Sequence, residues 1–569
     1  MRAFCGARNL RKIANEHPET ESMKKMARAR KASKTKAPRQ KRVRQANPVL
    51  DVLQNLDEEE IAMLREIIES ELGADPEMFE SKDAVALFVQ YLENCARRDM
   101  DDDDRAELLE ELSIELGDLK VASNGGDREA REKIQAVYDL LDDAIEARSM
   151  EPGDVMLTGK MLTDAGWTVP ESMRQALTEA LQACPPDSKD GAAGDIVSLL
   201  LELADQTDQN PFDVYGHVSS MLAAFPPKAS GLILFELIAA NKPVIAQVVA
   251  GFVLHSEAVL AQAATEALAA HAKQTPVESS LIERLVRMRP WLPPARQAQL
   301  DAVIRPLRSN ALPPVKLEMP KLIKCYVSVC DGSGARSVFA TQRLGARYQF
   351  PCVMIKTSGV DDAKILPDLP KSEMDDIVRQ LKSSMPVMET DLAGIARMLE
   401  LAIAENAASG SLPPFALVEV VERLGLGPIH PNHAAPIELI TNLLADLPPE
   451  QTNKAAVSRA NADILGGSEL EHQWFEAGET LEELLYPVKG FKQRVAKLMT
   501  AFLPERRLFW ARQCAISALA MRSGEKVRPW PWKQLALIGR EIASDVPLDQ
   551  IPLMKQVAET SVRAFERRP

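Results

Sequence analysis

The sequence is poor in aromatic residues, in cysteine and histidine, and in long uninterrupted apolar runs. Aromatic side chains make up 5% of the 569 residues, although 46% of the residues are apolar. This composition, with abundant alanine, leucine and methionine, favours helices packed through small and flexible side chains. The seven cysteines are scattered and form no even framework. Their distribution argues against a disulfide-stabilised fold and for a reducing compartment, so we expect a cytoplasmic protein.

No apolar run is long enough to span a membrane. The richest stretch, Gly231–Leu254, is interrupted by Glu236, Asn241, Lys242 and Gln247. The sequence also lacks Gly-x-Ser-x-Gly, His-Glu-x-x-His and Cys-x-x-Cys patterns, which mark esterase nucleophiles and metal sites. None of the seven histidines lies in a motif that would identify it as a general acid or base. We therefore name no catalytic residue, no metal ligand and no cofactor.

A basic N-terminal segment is concealed by the net charge of −14. Residues 24–44 contain eleven Lys or Arg and no acid; residues 1–44 carry +12, which leaves −26 for the rest. Residues 1–45 lack a consistent apolar period, and we interpret them as a disordered basic arm. Such arms bind nucleic acid through its phosphates. The alternative is a solubilising tail that folds back on the acidic body or binds nothing.

The arm contains no aromatic residue between positions 24 and 44 that could stack on a base, which argues against sequence-specific or single-strand readout. The candidate nucleic-acid-binding residues are Lys24, Lys25, Arg28, Arg30, Lys31, Lys34, Lys36, Arg39, Lys41, Arg42 and Arg44.

Most of the remaining chain has the period of amphipathic helices. We predict an N-terminal helical domain over residues 46–184, in which Asp127 caps a helix. A linker over 185–194 and a helical-repeat-like domain over 195–310 follow it. A C-terminal helical domain covers residues 386–569.

The domain over residues 195–310 combines short helices with proline-containing turns of two to five residues, which is typical of antiparallel helix hairpins. The predicted helices are Ile196–Asp205, Pro211–Ala224, Ser230–Ala240, Pro243–Leu254, Glu257–Ala272, Val277–Met288 and Pro294–Leu307. The segment His255–Leu268 has the small side chains of a helical repeat. On these residues, Ile196–Leu307 resembles the HEAT/armadillo class, which implies an α-solenoid with a curved binding surface. An irregular helical bundle is the alternative.

A central module over residues 315–385 does not read as purely helical. Its first apolar run alternates Ile323, Cys325 and Val327 with polar residues, which indicates a half-buried strand. Three strands are predicted, followed by the polar helix Lys371–Met385, and the strands are Lys321–Cys330, Ser337–Leu344 and Gln349–Lys356.

The loop Asp331-Gly-Ser-Gly-Ala-Arg336 joins two of these strands rather than a strand and a helix, and no Lys-Ser/Thr follows. We therefore predict a hairpin turn and not a phosphate-binding loop. Cys325, Cys330 and Cys352 fall in the same sheet without metal-ligand spacing, and we expect buried structural thiols. The acidic run from Asp361 to Asp368 is predicted as a solvated turn after the sheet.

Tyr326, Arg336, Arg347 and Lys356 are the candidate partner surface of the central module. If they are exposed together, the module binds a partner; if helices cover both faces, it is a joint. The segments Val329–Ala335 and Gly359–Ala363 resemble a unit found in uncharacterised bacterial proteins, a resemblance that implies no activity.

We therefore predict a mainly α protein in which irregular α-solenoid or helical-bundle domains flank a small three-stranded α+β module. The leading functional hypothesis is a non-catalytic helical scaffold or adaptor that binds a protein partner. The alternatives are nucleic-acid association through the basic arm and an unrecognised enzyme with a site at the central module. The sequence leaves the oligomeric state open.

Overall fold

The computed structural model describes residues 83–97, 102–124, 127–183, 192–206, 210–313, 319–464, 473–525 and 531–567. Every element below belongs to the unit Lys82–Pro569. The predicted basic arm and most of the predicted linker lie outside the described residues. A helix already begins at Ala192, inside the stretch predicted as linker.

The first helices share an apolar core. They are α1 (Ala84–Arg97), α2 (Asp102–Asn124), α3 (Arg128–Glu146), α4 (Pro152–Asp164) and α5 (Glu171–Ala183). Phe88, Leu112 and Leu141 come from the first three helices and are fully buried. The Asp127 carboxylate accepts a hydrogen bond from the Ala130 amide at 3.2 Å, which confirms the predicted cap.

Seven further helices follow, close to the predicted bounds. They are α6 (Ala192–Gln206), α7 (Pro211–Leu222), α8 (Pro227–Ala239), α9 (Pro243–Gly251), α10 (Ala258–His271), α11 (Ser279–Met288) and α12 (Pro294–Ser309). Proline occupies the first turn of α7, α8, α9 and α12. Proline is tolerated there because the amides of the first turn have no intrahelical partner.

These helices pack on their next-but-one neighbours. Helix α6 lies on α8, α8 on α10 and α10 on α12, while α7 lies on α9 and α9 on α11. The arrangement has two layers: α6, α8, α10 and α12 form the first layer, and α7, α9 and α11 form the second. We call these seven helices the helical stack. Membership of the HEAT/armadillo class stays a prediction.

The central sheet has five antiparallel strands in the order β4-β3-β2-β1-β5. They are β1 (Lys321–Ser328), β2 (Arg336–Leu344), β3 (Arg347–Lys356), β4 (Gly359–Leu369) and β5 (Val387–Thr390), and α13 (Lys371–Ser384) connects the last two. The predicted mainly α fold with a central α+β module is confirmed.

The prediction of three strands is wrong, because it omits both edge strands. Asp361 and Asp362 are exposed in β4, within the acidic run that is predicted as a turn after the sheet. Charged residues are common on edge strands, where they discourage pairing with another chain, and they obscure the alternation of apolar residues. Strand β5 has four residues, which is too short to show a period.

The C-terminal helices begin directly after the sheet. They are α14 (Leu392–Ser409), α15 (Ala416–Arg423), α16 (Pro436–Leu444), α17 (Lys454–Ile464), α18 (Glu479–Leu485), α19 (Phe491–Lys497), α20 (Arg507–Ser523), α21 (Trp532–Ile542) and α22 (Pro552–Glu566). Helix α20 is central, and its Trp510 is fully buried. No helix in the described part of the chain combines the length and apolar composition needed to cross a bilayer.

Helices cover both faces of the sheet. On one face α13 closes a small core that contains Tyr326, Phe339 and Phe350. On the other face α14, α15 and α20 pack against Cys325, Val327 and other apolar residues of the main core. The sheet is therefore a buried middle layer, in contrast to the half-exposed sheet that the alternation in β1 predicted.

Candidate functional site

A buried ion-pair cluster lies where the sheet meets the C-terminal helices. Arg336 is the first residue of β2, Glu405 lies in the last two turns of α14, and Arg512 lies in α20. One Glu405 oxygen is 2.6 Å from an Arg336 terminal nitrogen, and the other is 2.8 Å from Arg512 Nε. The Arg336 and Glu405 side chains are 2% and 8% exposed. We call these three residues the Glu405 junction.

The next residue of α14, Asn406, binds the turn between β3 and β4. Its Oδ1 accepts a hydrogen bond from the Val360 amide at 2.9 Å, and its Nδ2 donates to the Ser358 carbonyl at 3.1 Å. A Cβ at Gly359 would lie 2.5 Å from the Asn406 backbone nitrogen, and the φ of Gly359 is +108°. Glycine is therefore required where this turn meets α14.

The hairpin loop before β2 is hydrogen-bonded to α20 and to the segment that precedes α18. The Cys330 amide donates to Ser517 Oγ at 3.1 Å, and the Cys330 carbonyl accepts from Trp474 Nε1 at 2.8 Å. The Gly332 amide donates to the Gln473 carbonyl at 2.9 Å. The loop therefore packs against α20 and residues 473–475, although residues 332 and 473 are far apart in sequence.

The remaining amides of this loop are bonded within the loop. Those of Ser333 and Ala335 donate to Asp331 Oδ1 at 2.9 and 2.8 Å, and that of Gly334 donates to the Asp331 carbonyl at 3.1 Å. A phosphate-binding loop needs several free amides directed at one anion. The amides of residues 332–335 are occupied, in agreement with the predicted hairpin turn.

The carboxylate of Glu476 holds residues 473–476, which contact the hairpin loop before β2, in place. Glu476 Oε1 accepts hydrogen bonds from Arg506 Nε at 2.9 Å and from Trp510 Nε1 at 2.8 Å. The Glu476 amide donates to Ser561 Oγ at 2.8 Å. The Trp474 and Trp510 rings lie 5.5 Å apart between their centroids. These bonds fix residues 473–476 against α20 and α22.

The four residues of the predicted partner surface do not come together. Tyr326 is 2% exposed beneath α13, where the Lys382 ammonium lies 4.8 Å from its ring centroid. Burial raises the pKa of Tyr326 to about 12. Arg336 is buried at the Glu405 junction. Of the two alternatives that the sequence leaves open, joint exposure does not occur, because helices cover both sheet faces and bury these two side chains.

Arg347 and Lys356 are exposed at opposite ends of β3. At about 3.4 Å per residue, nine residue steps separate them by about 30 Å. Arg347 Nε pairs with Asp368 at 2.8 Å, and Lys356 Nζ pairs with Asp361 at 2.9 Å. Each cation therefore stabilises its neighbouring strand locally.

The thiols of the module are unreactive. Burial raises the pKa of Cys325, Cys330 and Cys352 to about 11, so they remain protonated near neutral pH and are poor nucleophiles. Within the described residues, no group of three or more His, Cys, Asp and Glu side chains is arranged to hold a metal ion.

A second polar cluster joins the helical stack to the helix that covers β3 and β4. Arg284 of α11 binds Glu422 of α15 through Nε and a terminal nitrogen, both at 3.1 Å. Its other terminal nitrogen donates to Gln247 at 3.1 Å. The Arg284 guanidinium lies 4.5 Å from the centroid of the Phe212 ring. We call Arg284, Glu422 and their neighbour Glu419 the Glu422 junction.

Glu419 is the titratable group of this junction. It lies one turn before Glu422, and its side chain is 14% exposed. Burial raises its pKa from 4.5 to about 7; Arg423 opposes the shift, and the charge of Asp213 adds to it. A carboxyl with a pKa near neutrality marks either a proton-transfer site or a strained interface.

Neither junction has a signature in the sequence, because the paired residues are more than 60 positions apart.

We predict that Glu405→Gln destabilises the protein by about 3–5 kcal/mol, because the buried Arg336 guanidinium and the partly exposed Arg512 guanidinium lose their shared counter-charge. Asp361→Asn breaks the exposed pair with Lys356 and is the matched control, with an expected loss below about 1 kcal/mol. Urea unfolding of both variants measures the difference. Equal losses in the two variants would contradict the structural role of the junction.

The Glu422 junction predicts a pH dependence of stability. The pKa of Glu419 is raised in the folded state, so the folded protein binds more protons than the unfolded chain between about pH 4.5 and 7. Its stability should therefore fall as the pH rises through this window. Glu419→Gln should remove on the order of 1–3 kcal/mol of that fall, measured as the free energy of unfolding at pH 5 and pH 8.

Glu438→Gln, at an exposed position of α16, is the control for this experiment and should keep the pH dependence of the wild type. A Glu419→Gln protein with an unchanged pH profile would show that another group titrates.

Comparisons with known proteins match two stretches of this chain. Residues 226–310 match the family model described as "Y4lR second domain", and residues 437–566 match "Y4lR C-terminal helical domain". The first match covers α8 to α12, and the second covers α16 to α22. The sheet and both α14 and α15 lie between the two matches.

The chain is 23% identical over 383 residues to "Uncharacterized protein y4lR" of Sinorhizobium fredii, an alignment that covers 65% of this chain and 72% of that protein. No solved structure matches the chain. The comparisons give no support to the HEAT/armadillo resemblance of the helical stack. They support similarity to an uncharacterised bacterial protein family, with family-model matches over α8 to α12 and α16 to α22.

Proposed function

We propose that this protein is a non-catalytic helical scaffold that binds a protein partner. The observation that carries this proposal is the Glu405 junction, in which one buried carboxylate binds arginines from the sheet and from α20. The charged groups at the centre of the molecule are used to hold its parts together. Such a joint favours a rigid frame that presents its outer helices in a fixed arrangement.

The bonds at the ends of the sheet support the same function. The hairpin loop before β2 is enclosed by residues 473–476, and the helical stack is attached through Arg284 and Glu422. Large apolar side chains are exposed on the first layer of the helical stack instead, such as Leu232 at 70% and Val259 at 48%. Exposed apolar surface is where a partner gains most from binding. We place the scaffold in the cytoplasm, since Cys95, Cys330 and Cys514 are free thiols.

Purification of the tagged full-length chain from its native cells tests the scaffold. One preparation is made from chemically crosslinked cells and one from untreated cells. In both, we expect a second polypeptide to co-elute with the tagged chain in gel filtration at a fixed molar ratio. A chain that elutes alone in both preparations would contradict the proposal.

The second candidate function is nucleic-acid association through the basic arm, favoured by the eleven cations between Lys24 and Arg44. These residues lie outside the described part of the chain. The support is their charge, because flexible cationic segments bind phosphates by releasing counterions.

We expect the full-length chain to bind a 30-base-pair DNA with an affinity that falls by at least about a hundredfold between 50 and 200 mM salt. Deletion of residues 1–45 should abolish this binding in fluorescence anisotropy. Deletion of residues 1–23, which leaves all eleven cations, is the control and should preserve it. Unchanged binding after the longer deletion would show that the arm is not responsible.

A further inference from the structure

The outer face of the first layer carries exposed apolar side chains on three neighbouring helices. Leu199 of α6 is 41% exposed, Leu232 of α8 is 70% exposed and Val259 of α10 is 48% exposed. Helix α8 packs on both α6 and α10, so the outward side chains of the three helices lie on one surface. Single exposed apolar residues are ordinary, but a series across adjacent helices marks an interaction surface.

Small residues bring α8 and α10 close together beside this series. A Cβ at Gly231 would lie 3.0 Å from the Cβ of Ala263. Leu232 directly follows Gly231, and Val259 precedes Ala263 by one turn. The two exposed side chains therefore lie beside the line along which α8 and α10 meet, where Gly231 packs on Ala263. We call this surface, with Leu199, the α8–α10 groove.

Carboxylates follow the apolar side chains at helical spacing. Glu236 lies four residues after Leu232, and Glu202 lies three residues after Leu199. Residues three or four apart share one face of a helix. Glu202 is exposed, and α10 contributes a further carboxylate, Glu266. The three helices contain no arginine and one lysine, Lys228, which is exposed four residues before Leu232 on the same face. Three exposed carboxylates, Glu202, Glu236 and Glu266, against this one lysine leave the surface acidic on balance.

We propose that the α8–α10 groove binds an amphipathic helix of a partner protein, with an apolar stripe flanked by Lys and Arg. This proposal rests on the scaffold function and identifies its partner surface. A helix fits because its apolar side chains, at three- and four-residue spacing, enter a groove between two helices. A basic flank fits because opposite charges favour the correct partner and like charges reject others.

The same acidity disfavours other occupants. A second copy of this face would bring carboxylates against carboxylates, and nucleic acid and anionic lipid would be repelled as well. The apolar side chains supply the binding energy, while the carboxylates set the choice of partner and the association rate.

The experiment uses the full-length chain and a fluorescent 18-residue peptide with leucines at helical three- and four-residue spacing and lysines elsewhere. Fluorescence anisotropy at 150 mM salt should give saturable binding. Leu232→Ser should weaken it about tenfold, since the buried area of one leucine is lost. Leu508→Ser removes a similarly exposed leucine from α20 and is the matched control, with unchanged affinity expected. Both variants should unfold at the wild-type temperature.

Three results would overturn the proposal. These are unchanged binding by Leu232→Ser, an equal loss in Leu508→Ser, and equally tight binding of a peptide in which every leucine is replaced by glutamine. The last would show attraction by charge alone. A wild-type dimer in light scattering that Leu232→Ser dissociates would also overturn it and assign the groove to a second copy.

Co-purification of tagged wild-type and Leu232→Ser chains separates this proposal from the scaffold function. If both chains recover the same partner, the scaffold function stands and the groove is not its partner surface. If the wild type recovers no partner, the scaffold function itself fails. If the wild-type chain recovers a partner and the Leu232→Ser chain does not, the scaffold function and the α8–α10 groove as its partner surface are both supported.

Discussion

The carboxylate of Glu405, buried between two arginines, is the interaction on which the arrangement of this protein depends. It joins the end of α14 to the first residue of β2 and to α20. Taking such charges out of water is costly, and a buried ion pair often contributes little net stability compared with well-packed apolar residues. Its contribution is specificity: alternative packings of the sheet on the helices would leave a buried charge without a partner.

The second junction differs from the first in its charge balance. Glu422 binds Arg284 closely, whereas Glu419 has Arg423 only at 4.0 Å and faces the charge of Asp213. The Glu405 junction places one carboxylate between two arginines, while the attachment of the helical stack contains a carboxyl, Glu419, that is neutral below about pH 7. The stack is therefore the part whose attachment responds to solvent conditions.

Features that depend on local patterns could be predicted from the sequence. Helices α6 to α12 are recognisable because apolar period, proline turns and helix starts are encoded within a few residues, as at Pro211 and Pro243. The Asp127 cap is recognisable for the same reason. The central module is also recognisable, because the alternation in β1 extends over only a few residues.

Features that depend on distant residues could not be predicted. The burial of Tyr326 could not be predicted because it depends on α13, which follows three further strands along the chain and covers it. The partnership of Glu405 with Arg512 joins positions 107 residues apart and has no local pattern. Strand β4 was missed in the prediction for another reason: its exposed acidic residues resemble those of a turn.

Two consecutive residues, Glu405 and Asn406, connect α14 to different parts of the sheet. Glu405 binds the start of β2, and Asn406 binds the turn between β3 and β4. Sliding α14 along the sheet by a single residue would break both sets of bonds together. The helix and the two hairpins therefore have one shared opening reaction, and their amides should exchange with solvent deuterium as a single cooperative unit rather than strand by strand.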